Sequence, residues 1–297
     1  MLKFFVRFAC SLFVAAISCI SLPHVWGADS PEVAAIKKAG GNVHKVEGGT
    51  GVSFLNCTLD DSAWRGLESL SDLKKFTISG SGKDFGDVQL ARLCEIKTIE
   101  LIFMNAYGGT EEGLTALAKL PNLRHFGADH SPFTGTGLIA LKNAPNFSSL
   151  RLGGCPFNDE GMKTLGQLTQ LVEANISHVR FTSEGFPNFA KLTNLEKLTI
   201  SPNCSPYFVG SDFVHLSGLK KLNTLVVTEM ALTYEDGLNH LKGLNLKRLE
   251  LRDCRVSDGD LAKLKADLPN ATIERLYSLD DRFKIWDRQL ENRVKFK

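Results

Sequence analysis

Apolar and polar positions alternate along this chain in one phrase that keeps returning. An apolar residue is followed by two mostly polar ones, then by two apolar residues with a single residue between them. It reads Leu73-Lys-Lys-Phe76-Thr-Ile78, Phe147-Ser-Ser-Leu150-Arg-Leu152, Leu195-Glu-Lys-Leu198-Thr-Ile200 and Leu246-Lys-Arg-Leu249-Glu-Leu251. The second apolar position falls at residues 52, 76, 99, 126, 150, 174, 198, 225, 249 and 273. The steps between them are 24, 23, 27, 24, 24, 24, 27, 24 and 24, a phase that ordinary amphipathicity does not hold. The period-two part of each phrase predicts a short strand with one face buried. A third apolar position follows a turn, as at Leu59, Phe133, Phe157, Phe181, Leu232 and Val256. Thr134, Asn158, Thr182 and Ser257 come next and suit a helix start. Gly-Leu or a similar pair and a Leu-x-x-Leu then predict a short helix, as at Leu117/Leu120 and Leu165/Leu168. One strand and one short helix cannot close a core alone, whereas stacked copies can.

The unit Cys155-Pro-Phe-Asn-Asp-Glu-Gly-Met-Lys-Thr-Leu-Gly-Gln-Leu-Thr-Gln-Leu171 resembles the leucine-rich repeats of secreted bacterial proteins. The run Val33 to Val43, with Gly40-Gly41, resembles the lead-in found before such arrays. The resemblance covers about residues 31–276 and implies an α/β leucine-rich-repeat solenoid, a horseshoe of about ten repeats. Its parallel strands would line the concave face and its short helices the convex one. The resemblance carries no particular activity, because this scaffold serves many partners.

Residues 1–27 are set apart. Lys3 and Arg7 precede an uncharged stretch from Phe8 to Leu22, shorter than the roughly 20 residues a spanning helix needs. Val25 and Gly27 suit cleavage before Ala28, so the segment reads as an export signal and the protein as secreted or periplasmic. An uncleaved anchor and a lipid anchor at Cys19 are the alternatives; in the second the protein would be a structural envelope component. Residues 28–48 read as an N-terminal cap, 49–277 as the repeats and 278–297 as a C-terminal cap or tail. In that tail Trp286, Leu290 and Val294 recur at helical spacing.

The chain of 297 residues has 35 basic and 33 acidic residues, a formal charge of +2. Both surplus charges belong to Lys3 and Arg7, so the exported part is balanced. That disfavours a nucleic-acid partner, which calls for a basic face. Cys57, Cys155 and Cys254 share one slot, four repeats apart or about 19 Å, too far for disulfides and suited to small buried hydrophobes. Cys94 and Cys204 lie off that column, and their pairing is open. Gly80-Ser-Gly-Lys83 lacks the upstream glycine and the Ser or Thr of a phosphate loop. His125 and His130 are about 16 Å apart on an extended strand, and His130 and His178 about 10 Å apart across two repeats. No metal or cofactor site and no catalytic set is expected. Asn-x-Ser/Thr triplets occur at Asn56, Asn146 and Asn175.

Binding is expected on the exposed strand positions, which read Ser53, Thr77, Glu100, Gly127, Arg151, Asn175, Thr199, Val226, Glu250 and Glu274 along the centre. Mid-array, His125, Asp129, Arg151, Glu173 and Asn175 form a polar group that would suit a protein or peptide ligand, Arg151 foremost. The two 27-residue steps place extra residues around Tyr107 and around Tyr207, four repeats apart on one edge. These tyrosines are the other candidate contacts. The expectation is a monomeric, non-enzymatic protein-binding solenoid with no membrane span after export.

Overall fold

The computed structural model describes residues 29–80, 84–202 and 207–277. The export segment 1–27, Cys19, Cys204 and the tail residues Trp286, Leu290 and Val294 lie outside them. Helix α1 (Pro31–Lys38) opens the described chain, capped by Ser30, whose Oγ accepts from the Val33 N–H. Strand β1 (Asn42–Val46) turns back antiparallel onto β2 (Gly49–Leu55). From β2 onward every pairing is parallel, and neighbours in sequence are neighbours in the sheet. The order continues with β3 (Leu73–Ser79), β4 (Leu101–Asn105), β5 (His125–Asp129) and β6 (Ser149–Gly153). It ends with β7 (Glu173–Ser177), β8 (Lys197–Ser201), β9 (Thr224–Thr228), β10 (Arg248–Arg252) and β11 (Thr272–Leu276). Ten parallel strands therefore carry the ten repeats of the leucine-rich-repeat solenoid.

The returning segments lie on the other side of the core. Four are α-helices, α2 (Asp61–Ser69), α3 (Asp87–Leu93), α4 (Asp159–Leu165) and α5 (Asp258–Asp267). Others wind as 3-10 turns, such as Glu112–Lys119 and Phe186–Lys191. A helix is about 10 Å wide, whereas parallel strands sit about 4.8 Å apart. Helices on one side of the stack therefore spread it and bend the array toward the strands, which makes the sheet the concave face. Between the layers lie apolar residues of several types at the two inward strand positions, such as Phe76 and Ile78 or Leu150 and Leu152, and an aromatic row. Phe85, Tyr107 and Phe133 follow one another at centroid spacings of 6.3 and 5.3 Å. Phe157, Phe181 and Phe208 do so at 6.4 and 4.8 Å.

Two local rules join repeat to repeat. The first is an acid at the start of one helical segment that holds the loop of the next repeat. Asp87 accepts from the Thr110 N–H and hydroxyl, both at 2.8 Å. Glu111 accepts from the Thr134 hydroxyl at 2.8 Å and from the Gly137 N–H at 2.7 Å. Asp159 accepts from the Thr182 N–H at 2.7 Å and from its hydroxyl at 2.8 Å. Thr134 and Thr182 are thus held by the preceding repeat, while Asn158 and Ser257 do cap their own helices. Gly161 lacks a side chain because a Cβ there would strike the Thr134 carbonyl of that loop.

The second rule is a left-handed residue directly after the strand. Asn56, Gly80, Ala106, His130, Gly154, His178, Glu229 and Asp253 all have φ between 49° and 77°. Each donates its N–H to the last residue of the following strand, as from His130 to the Gly153 carbonyl at 2.7 Å. After β8 this place is taken by Pro202, which has no N–H and a fixed negative φ.

One strand is displaced from its expected phase. The register pairs Phe76 with Ile102, and Ile102 with Phe126, so Ile102 and not Ile99 is the second inward position. The steps on either side become 26 and 24. The aromatic position lies seven residues after the inward one at Phe133, Phe157 and Phe181, but nine after it at Phe85 and ten after it at Phe208. The extra residues accordingly follow β3 and β8, five repeats apart. They do not follow β4 near Tyr107.

Candidate functional site

The middle of the concave sheet is built by β4 to β7. The register sets Phe103, Gly127, Arg151 and Asn175 side by side in the central column. Phe103 therefore occupies the place expected of Glu100. Glu100 lies just before β4 and binds Lys74 at 2.7 Å. A Cβ on Gly127 would lie 2.6 Å from the Phe103 ring, so the ring leans across the bare glycine backbone. The Arg151 guanidinium carbon sits 5.8 Å from the centroid of that ring, a cation–π approach.

Asp129 and Arg151 form a forked pair. Arg151 Nη2 donates to Asp129 Oδ2 at 2.7 Å and Nε to Oδ1 at 3.1 Å. Gly153 makes room for this, since a Cβ there would lie 2.5 Å from Asp129 Oδ1. The Asp129 side chain is nearly covered and that of Arg151 half exposed, so the acid anchors and the base projects. Glu173 binds Lys197 on the next strand at 2.6 Å. Asn175 Oδ1 accepts from the Ser177 hydroxyl at 2.6 Å. His125 is exposed at the start of β5, and partial desolvation lowers its pKa, with the nearby Glu173 opposing. The five residues expected to gather mid-array do share this face.

The two tyrosines are placed differently from expectation. Tyr107 is 4% exposed, and its hydroxyl donates to Asp87 Oδ1 at 2.5 Å. Burial and that acid both raise its pKa. Its ring occupies the aromatic row above Gly109, where a Cβ would meet the ring at once. It is a core residue and not the exposed one expected. Tyr207 is half-buried against the core, and its carbonyl accepts from the Ser183 N–H at 2.9 Å.

A second polar group lies beside the first and was missed by sequence reasoning. His178 Nε2 and Glu229 Oε1 meet at 2.9 Å, from the left-handed turns after β7 and β9. Ser201 donates to Glu229 Oε2 at 3.1 Å. The hydrogen bond from Glu229 raises the His178 pKa against partial desolvation; Asp129 adds to the rise and Arg151 opposes it. The left-handed column was visible as Asn56, Gly80 and Gly154, but nothing in the sequence shows two such side chains bridging over Pro202.

Cys94, Cys155 and Cys254 are small buried hydrophobes, whereas Cys57, in the same slot as the last two but in the first repeat, is only half-buried. Cys155 Sγ donates to the Ala128 carbonyl and Cys254 Sγ to the Val227 carbonyl, each at 3.4 Å. Cys57 donates to the Leu55 carbonyl at 2.9 Å. Desolvation pushes the Cys155 thiol up to about 11 and those of Cys94 and Cys254 up to about 12, so they are inert at neutral pH. Among the described residues, no group of His, Cys, Asp and Glu is arranged to hold a metal ion. No helix among them is long and apolar enough to cross a membrane.

No protein-family model and no curated protein matches this sequence. Solved structures do match its fold. An internalin, InlF from Listeria monocytogenes, superposes with a TM-score of 0.52 at 21% identity over 70% of this chain and 56% of its own. TLR13, in its complex with ssRNA13, superposes with a TM-score of 0.52 at 14% identity over 76% of this chain and 33% of its own. Both are leucine-rich-repeat proteins. The chain thus spans about half of the internalin and a third of TLR13, and the likeness at these identities is one of fold.

Proposed function

We propose that this chain is an exported, non-enzymatic leucine-rich-repeat protein that holds a protein or peptide on the middle of its concave face. The observation that carries this is the half-buried Phe103 ring seated over Gly127, beside the projecting Arg151 that Asp129 anchors. A side-chain anchor set beside an apolar surface is what interface centres use. His125, Glu173 and Asn175 complete the rim, and Tyr107 drops out as a core residue. The balanced charge of the exported part favours protein over nucleic acid.

The test is capture. The secreted protein, immobilised, should retain a partner from its producing culture, and Arg151→Glu should abolish retention while the convex control Lys163→Ala keeps it. Retention that ignores Arg151→Glu overturns the site. Export is tested by intact mass: Ala28 as first residue supports cleavage. A lipid-bearing Cys19 at that end would favour the envelope-anchored alternative.

A further inference from the structure

We infer that the concave centre recognises a carboxylate, carried by an acidic side chain of a peptide next to a large apolar residue; this rests on the binding role proposed above. A guanidinium has two edges able to grip a carboxylate. Asp129 occupies the edge made by Nε and Nη2 of Arg151, and no acceptor among the described residues faces Nη1. The Nη1/Nη2 edge is therefore held in place and unspent. Asn175 repeats the arrangement in the next repeat. Its Oδ1 is taken by Ser177, which turns the Nδ2 donors away from that contact. Arg151 and Asn175 are cross-strand partners in the register, about 4.8 Å apart along the sheet.

The surrounding acids do not compete for these donors. Asp129 is spent on the inner edge of Arg151, Glu173 on Lys197 and Glu229 on His178 and Ser201. Phe103, against the guanidinium and over Gly127, supplies the apolar neighbour. Donors fixed from behind lose little freedom when a ligand arrives, which favours a short, directional contact. Cations and anions alternate over this face, so an isolated carboxylate suits it better than the continuous phosphates of a nucleic acid.

The test pans a displayed random-peptide library against the full secreted protein and measures selected synthetic peptides by fluorescence polarisation. Recovered peptides should be enriched in Asp or Glu beside an aromatic or large aliphatic residue. Arg151→Gln should weaken them about tenfold. Arg151→Lys should cost nearly as much, because it keeps the charge and loses the fork. Asn175→Ala, which leaves the Asp129–Arg151 pair intact, should weaken them less. Replacing the peptide's acid by its amide should cost the same factor in wild type and nothing further in Arg151→Gln. Peptides without acidic enrichment that lose binding on Thr199→Arg, which crowds the same concave column beyond Asn175, overturn the carboxylate and leave the binding role. Peptides indifferent to every concave substitution, or an empty selection, overturn the binding role as well. Competition by a single-stranded RNA oligonucleotide would replace the peptide with another class of ligand.

Discussion

Nine turns carry the chain from one parallel strand toward the next repeat, and they divide into eight of one kind and a single exception. In the eight, a left-handed residue donates its N–H across to the next strand's end. After β8, Pro202 removes both the donor and the left-handed geometry, and three extra residues follow before Phe208. The β8–β9 ladder stops one pair earlier there, at Ile200 and Val227. Side chains make up the difference. Thr228 Oγ1 donates to the Ile200 carbonyl at 3.1 Å, and His178 reaches over the gap to Glu229. Phe181 and Phe208 stack beneath it at 4.8 Å and 8°. A repeat array thus tolerates a missing backbone bond when its neighbours supply polar and apolar contacts across the defect, because each repeat's stability is a sum of local and nearest-neighbour terms.

The strongest way to break this contrast is Phe181→Ala. It deletes a fully buried ring that contacts Phe157 on the regular side and Phe208 on the interrupted side. The expected loss is about 3–5 kcal/mol in urea unfolding. Where the stack is the main coupling across the gap, tryptophan fluorescence and far-UV circular dichroism should separate into two transitions. A single coincident transition would mean that the remaining contacts suffice.

Next comes Glu229→Ala, which leaves His178 and Ser201 without their shared acceptor. A loss of about 1–3 kcal/mol is expected from losing the hydrogen bonds that Glu229 accepts, toward the lower end because His178 is partly exposed. The sign with pH is definite. The His178 pKa is raised from its ordinary 6.5 in the folded protein, so the bridge's stabilisation is fully present below about that pH. It is lost as pH rises through the raised value. The gap between wild type and Glu229→Ala should therefore narrow from pH 6 to pH 8. An NMR titration should show the His178 midpoint falling in the variant.

The smallest effects compare two regular turns. Ala106 sits at φ 59° with a Cβ, whereas Gly154 sits at 64° without one. Ala106→Gly should stabilise by about 0.5–1 kcal/mol by relieving the left-handed strain. Gly154→Ala should destabilise by at least as much, since the new Cβ would lie 2.9 Å from the His130 ring. Thermal midpoints measure both. Equal and unchanged midpoints would show that the left-handed turn carries no strain here.

Legibility in the sequence followed the physics of each feature. The repeat period was plain because every copy must bury the same inward positions, and burial is written in residue type. Cys57, Cys155 and Cys254 were read as core from the slot they share; the last two are buried, and Cys57, in the first repeat, is half-buried. The phase of β4 was not legible, because two frames satisfy one pattern. Ile96, Ile99 and Leu101 fit the phrase, and so do Ile99, Ile102 and Met104. Only the ladders from β3 and β5 select the second frame, and with it Phe103 for the concave face and Tyr107 for the core.

The sequence by itself determined a single array of about ten units, the solenoid fold and the face on which its polar mid-array residues gather. Those follow from local alternation repeated in phase. The tertiary structure decided which strand frame pairs, after which strands the extra residues fall and which edge of Arg151 Asp129 occupies. Those depend on groups from different repeats meeting in space, at distances and orientations that spacing along one chain does not encode.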